Sequence, residues 1–224
     1  MTRKIASFKR SQDQDQLTRI ADEHGLDPAV ARAVASVESG GSDGFYEGRV
    51  IIRFEVHKFW KFWGKDNAEL FNKSFKFNHL QPWKGHKYLD DEQGEWLYVH
   101  PTGTLKDQDR EYRALRLADG MASDTGQVYL PAQCMSMGMF QIMGFNYSDA
   151  GYFGALHMFK SYLSPNSQVR SFFTFLSNYR NGVCLKAAKN QYWYTFARAY
   201  NGTGQAKKYA GMLKAAYDKE VRDG

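Results

Sequence analysis

Glu38 is the first residue whose type and position invite chemistry. In the run PAVARAVASVESGG, Val30, Val34 and Val37 recur at i, i+4 and i+7, so Glu38 lies beside an apolar helical stripe, in the last turn before Gly40-Gly41. Unpaired carbonyls and the negative end of the helix dipole disfavour a carboxylate anion there and raise its pKa. A carboxylic acid that keeps its proton near neutral pH and points into a cleft can protonate a glycosidic leaving oxygen. A surface glutamate at a helix end fits the same position. Glu55 follows 17 residues later, and a second carboxylate suits glycoside cleavage, with a separation of about 5–5.5 Å for retention or about 6.5–9.5 Å for inversion. Pairing of Glu55 with Arg53, Arg49 or a core histidine is the alternative, and Asp43 and Glu47 compete as groups that position water.

The elements that must hold these residues are legible in outline. Residues 16–24 read as a short helix closed by Gly25, and Asp27 caps a second helix with Pro28 at its first position. Gly40-Gly41 ends that helix. The segment RVIIRFEVH, 49–57, is rich in β-branched and aromatic residues after a glycine-rich turn and is expected to be a strand carrying Glu55. Residues 58–105 lack a clear period and are expected to form a loop-rich insertion with short strands at most. Helical spacing returns at 107–121 through Tyr112, Leu115 and Ala118. It returns again from Ser164-Pro165 to Asn181-Gly182 through Val169, Phe172, Phe173, Leu176 and Tyr179, and then at 190–200 and 205–221. The expected class is α+β, a mainly helical lobe with a small strand- and loop-rich subdomain.

Composition narrows the function. The chain has 224 residues with 30 basic and 24 acidic side chains, net +6, enough length for one well-buried domain and a polyanionic partner to match. The basic residues are scattered and no nucleic-acid-binding motif is present, so nucleic acid is not the expected partner. No run approaches the roughly 20 apolar residues of a membrane span, and the basic N-terminus lacks the apolar core of a secretory signal peptide. The six histidines show no metal-ligand spacing, so neither a metal site nor a cofactor is expected, and Cys134 and Cys184 are expected to be buried free thiols. Aromatic residues reach 16%, more than a core of this size needs, which suggests a sugar- or base-stacking surface. Trp83, Tyr88, Trp96 and Tyr98 are candidates for it, with packing of the loop-rich region as the alternative. Met135, Met137, Met139 and Met143 are expected to fill the core.

Three strings in order, VESGG at 37–41, MGMFQIM at 137–143 and ARAYNGTG at 197–204, resemble the signatures of the lytic transglycosylase and goose-type lysozyme clan. With RFEVH after the first glutamate, GMFQIMGFNY, and FARAYNG before a basic tail, the chain is most similar to the N-acetylmuramidase domains of bacteriophage endolysins, over residues 17–217. Phe140, where transglycosylases usually carry Met, favours the phage group.

The resemblance implies a lysozyme-like fold: a 1–16 extension, then a single catalytic domain, 17–224, that includes the insertion. It implies Glu38 as catalytic acid, Gln141 with Gly138 as a sugar-binding element, Tyr200 and Asn201 at the cleft wall, and Glu55 with His57 as the Phe-Glu-x-His element. Tyr147 and Asn146 add neutral hydrogen-bonding groups for N-acetyl and hydroxyl groups.

The implied activity is hydrolysis of the β-1,4 bond between N-acetylmuramic acid and N-acetylglucosamine, leading to host lysis. A lytic transglycosylase and a non-catalytic wall-binding protein are the alternatives. The implied partner is bacterial peptidoglycan, met by a monomer that waits in the host cytoplasm and acts in the periplasm. Many endolysins of the group carry a wall-binding module before the catalytic domain. With 16 residues ahead of the match, affinity is expected to come from the groove and the positive surface. The C-terminal helix, with Tyr209, Leu213, Ala216 and Tyr217 on one side and Lys207, Lys208, Lys214 and Lys219 elsewhere, is expected either to pack on the domain or to touch anionic outer-membrane lipid weakly.

Overall fold

A computed structural model describes residues 16–90, 92–101 and 108–223. Most of the expected 1–16 extension, residues 91 and 102–105 of the expected insertion, and the expected helix start at Asp107 lie outside the described residues. The fold is α+β, and the chain divides into two compact units. The first takes the described residues up to Asp43, Asp149–Gly151 and the chain from Pro165 onward; the second takes Gly44–Ser148 and Tyr152–Ser164.

The first unit is helical. After helix α1 (16–23), α2 (Pro28–Ser39) starts as its sequence predicts, with Asp27 Oδ1 accepting the Ala29 N–H at 2.7 Å and Pro28 at the first turn. Gly40 closes it in the left-handed region, donating to Val37 O. Both ends of α2 are thus set by local chemistry, which fixes Glu38 in its last turn. Val30 and Val34 are buried in the stripe. A long C-terminal helix, Ala206–Asp223, packs on α2 through Leu213, and Arg32 bonds Glu220 across the pair at 2.7 Å. The helix Pro165–Asn178 buries Phe172, Phe173 and Leu176 completely, and Val183–Lys189 and Trp193–Asn201 follow.

The second unit carries the strands. Hairpin β1 (Phe45–Tyr46) to β2 (Arg49–Val50) turns through Glu47 and Gly48, both at positive φ. Strand β3 (Ile52–Phe54) pairs antiparallel with β7 (Met135–Met137), which pairs with β8 (Ile142–Met143). Strands β4 (Phe75–Lys76), β5 (Lys87–Asp90) and β6 (Glu95–Tyr98) form a separate antiparallel sheet.

Two expectations are corrected here. The strand expected over 49–57 is broken at Ile51 and ends at Phe54, and helix α3 (Val56–Phe59) runs on into a π-helical turn, Trp60–Gly64. The insertion expected to be loop-rich continues with helix α4 (Ala68–Ser74) before its sheet. The cause is packing. Val56, Phe59 and Trp63 recur at helical spacing and are fully buried, and with Phe54, Phe71 and Phe75 they form an aromatic core in which Phe59 stacks on Trp63 at 4.9 Å. Much of the aromatic surplus is therefore core, not binding surface. Gly64 is required there, because a Cβ would lie 2.7 Å from Phe71 and Trp60.

Helix α5 (Gln108–Asp124) completes β3 by an unusual route. Tyr112 Oη donates to Val50 O at 2.7 Å, Gln108 bonds both Ile52 N–H (2.8 Å) and Ile52 O (3.1 Å), and Glu111 Oε2 accepts the Phe54 N–H at 2.7 Å. Tyr112 thus holds the end of β2, while Gln108 and Glu111 supply the partners that a neighbouring strand would offer to β3. Replacing Gln108 by Leu strands two buried backbone groups of Ile52, and the expected loss is about 2–6 kcal/mol. Urea unfolding of wild type and Gln108→Leu measures it; a change under 0.5 kcal/mol, the size usual for surface substitutions, would show that β3 does not depend on this bond.

Candidate functional site

Among the described residues, Asn201 hydrogen-bonds the Glu38 carboxyl. Asn201 Nδ2, at the end of helix Trp193–Asn201, donates to Oε1 at 3.1 Å and Oε2 at 3.4 Å. Burial pushes the Glu38 carboxyl up to about 7, and the Asn201 bond opposes that rise without reversing it. The direction matches the sequence expectation, and its largest cause is desolvation. A carboxyl at about 7 is half protonated at neutral pH and poised to give up a proton. Tyr200, next to Asn201, is held among Phe172, Phe175 and Phe196, stacking on Phe196 at 5.8 Å. Cys184 is a buried thiol of the same unit, pushed up to about 11 by its burial, with the negative charge of Glu38 adding to the rise.

Glu55 has the opposite environment. It lies between β3 and α3, where its N–H bonds Cys134 O at 2.9 Å and its carbonyl starts the helix. Oε1 lies 3.3 Å from Arg53 Nε, and Oε2 lies 3.3 Å from His57 Nδ1 and 3.6 Å from His86 Nδ1. Burial opposes ionisation, but the His57 bond and the charges of His86, His100 and Arg53 outweigh it and hold the carboxyl at about 2. Glu55 is therefore an anion throughout the physiological range. Burial also lowers His86 to about 4, so this imidazole is neutral at pH 7.

The remaining predicted positions are placed as follows. Gly138 and Gln141 bound the β7–β8 turn, both at positive φ. The Gln141 side chain accepts from Ser136 Oγ at 2.9 Å and donates to Gly138 O at 2.8 Å, so in this structure its amide braces the turn. Tyr147 is half-buried behind the turn Gly144–Asn146. Gly144 must be glycine, because a Cβ would lie 1.9 Å from Ala132 O. Glu47 is exposed in the β1–β2 turn, 3.9 Å from Arg49, and Asp43 is exposed. Tyr88 is buried, whereas Trp83 and Tyr98 are exposed; Lys76 covers the Trp96 ring at 3.6 Å and Lys87 that of Tyr98 at 4.3 Å. On the C-terminal helix Leu213 is buried and Tyr209, Ala216 and Tyr217 half-buried, while Lys207, Lys208, Lys214 and Lys219 are exposed. Among the described residues no helix is long and apolar enough to cross a membrane.

Sequence reasoning missed His86, His100 and Glu111, which extend the Glu55 site inward: His86 Nδ1 is 3.0 Å from His100 Nε2, and His100 Nδ1 is 2.6 Å from Glu111 Oε1. A signal was present for one of them. Glu111 follows Gln108 at i+3 and shares the apolar face of Leu115 and Ala118, a position where a carboxylate needs a partner.

The model of the N-acetylmuramidase family matches residues 27–220, which include Glu38, Glu55, Gln141, Tyr200 and Asn201. The chain belongs to the N-acetylmuramidase family. It is accordingly a peptidoglycan-degrading enzyme of the muramidase class. The crystal structure of the Burkholderia AP3 phage endolysin is similar, with 26% identity and a TM-score of 0.70, over 93% of this muramidase and 71% of that chain. Among curated proteins none matches.

The raised pKa has a measurable consequence for folding. Folded Glu38 holds its proton up to about 7 while the unfolded side chain releases it near 4.5, so wild-type stability falls as pH rises through that interval and is level above it. Glu38→Gln removes this slope. The variant is expected to be about 1–3 kcal/mol more stable than wild type at pH 8, allowing for partial solvent screening, and close to it at pH 4. Melting curves at the two pH values check this; an equal difference at both would mean that Glu38 is not desolvated.

Proposed function

We propose that this muramidase is a phage endolysin that hydrolyses the β-1,4 bond between N-acetylmuramic acid and N-acetylglucosamine, with Glu38 as general acid, and so lyses the host. The supporting observation is the Glu38 environment: a carboxyl at about 7 that is hydrogen-bonded by the neutral amide of Asn201. Glu38 gives its proton to the leaving glycosidic oxygen, and the anion left behind is better served by the Asn201 N–H than the neutral acid was. That difference favours the transition state over the ground state. Glu55, an anion at about 2, has no proton to give, and its proposed part is that of a fixed negative charge. The similar AP3 protein is an endolysin, which supports the same biological setting here: synthesis in the host cytoplasm and action on peptidoglycan in the periplasm, with net charge +6 favouring encounter with an acidic wall; we propose that the chain acts as a monomer.

One observation favours a second reading. A carboxylate held at about 2 is a weak proton acceptor, and a lytic transglycosylase, in which the muramyl C6 hydroxyl attacks, needs no second carboxylate. Mass spectrometry of soluble fragments from purified peptidoglycan, with and without borohydride, separates the two. Wild type is expected to release reducible muramic-acid ends, and Glu38→Gln, equally folded, to release them about 10²–10⁴-fold more slowly. Anhydro ends would establish the transglycosylase; a Glu38→Gln variant keeping more than a tenth of the wild-type rate would refute Glu38 as the acid.

A further inference from the structure

The geometry points to a divalent-metal site in the second unit, formed by Glu55, His57 and His86 and suited to zinc. One donor atom from each residue lies within 4.8 Å of the others. Glu55 Oε2 stands 3.3 Å from His57 Nδ1 and 3.6 Å from His86 Nδ1. These separations are long for charge-assisted N–H···O bonds, which run to about 2.7–2.9 Å. They match the spacing of about 3.4 Å between ligands of a tetrahedral ion with bonds of about 2.0–2.1 Å.

The contacts behind these donors are tighter. His86 Nε2 donates to Pro82 O at 2.8 Å, which leaves the ring's lone pair on Nδ1, the atom nearest Glu55. His100 Nδ1 is held by Glu111 Oε1 at 2.6 Å, and Glu111 by the Phe54 N–H at 2.7 Å. Rings fixed by a backbone carbonyl and a carboxylate around a looser inner set form the outer support that metal ligands need. His100 Nε2, 3.0 Å from His86 Nδ1, gives up that contact when the ion takes the Nδ1 lone pair. Arg53 takes Glu55 Oε1 at 3.3 Å, leaving Oε2 for the ion.

Two imidazoles and one carboxylate favour zinc or a similar borderline ion over magnesium or calcium, and three protein ligands leave a position for water. The side chains of Glu55 and His57 are 17% and 19% exposed, so the ion has access. Bound there, it ties the end of β3 and the start of α3 to the segment entering β5, and it occupies Glu55 Oε2. The site stands whether or not Glu55 takes part in cleavage.

Calorimetric titration of zinc into the full-length, metal-stripped protein tests it, together with the visible spectrum of the cobalt form. The expected result is one equivalent bound, an intense tetrahedral cobalt band, and a melting temperature that rises with zinc concentration. Glu55→Gln and His57→Asn, each checked for folding by circular dichroism, should each lose at least about 10-fold in affinity. Absence of binding, or equal affinity in wild type and both variants, would overturn the site and place any bound ion on exposed histidines such as His79 or His157.

Discussion

A carboxyl removed from water must either keep its proton or be paired with positive charge and hydrogen-bond donors. This protein applies both solutions at defined places. Glu38 is given an amide and no cation among the influences on its titration, and it stays protonated to about 7. Glu55 is given two histidines and Arg53, and it ionises at about 2. Glu111, deeper in the second unit, is raised by burial even though His100 and the Phe54 N–H hold it. Environment alone thus separates a carboxyl that keeps its proton to about 7 from one that is an anion from about 2, without any difference in residue type.

Those environments rest on backbone constraints that reach well beyond the site. The Glu38 environment depends on two caps, Asp27 and Gly40, which fix where α2 begins and ends, and on the helix ending at Asn201. The anion depends on β3, a strand whose outer edge is satisfied by Gln108 and Glu111 instead of by another strand. Glu111 bonds the strand with one oxygen and His100 with the other, so the group that holds β3 in place also orients the histidines behind Glu55. Strand placement and site electrostatics are therefore coupled through one side chain.

Local signals made the first unit legible. Asp27-Pro28, Gly40 and the Val30/Val34 spacing are short-range patterns, and the structure follows them nearly residue for residue. Glu38 could be singled out because its position relative to those signals implied a raised pKa, although burial, a tertiary property, supplies the shift. The second unit was harder to read. The β-branched and aromatic run at 49–57 has strand propensity, but the helical spacing of Val56, Phe59 and Trp63 and their burial decide the outcome after Phe54. His57, His86 and His100 are far apart in sequence and meet only because α3 and the sheet β4–β6 bring them together, so no spacing rule could reveal their cluster. Gln141 shows the converse: a motif identified its position, but only the structure shows its amide engaged with Ser136 and Gly138.

The claim on which the rest depends is that the Glu38 carboxyl carries its proton near neutral pH in the folded enzyme. Carbon-13 NMR titration of side-chain carboxyls in glutamate-labelled full-length protein measures this directly, with the Glu38 resonance assigned by its absence in Glu38→Gln. A midpoint near 7 is predicted. A midpoint near the ordinary 4.5 would contradict the account, because Glu38 would then be an anion at working pH with no proton to give.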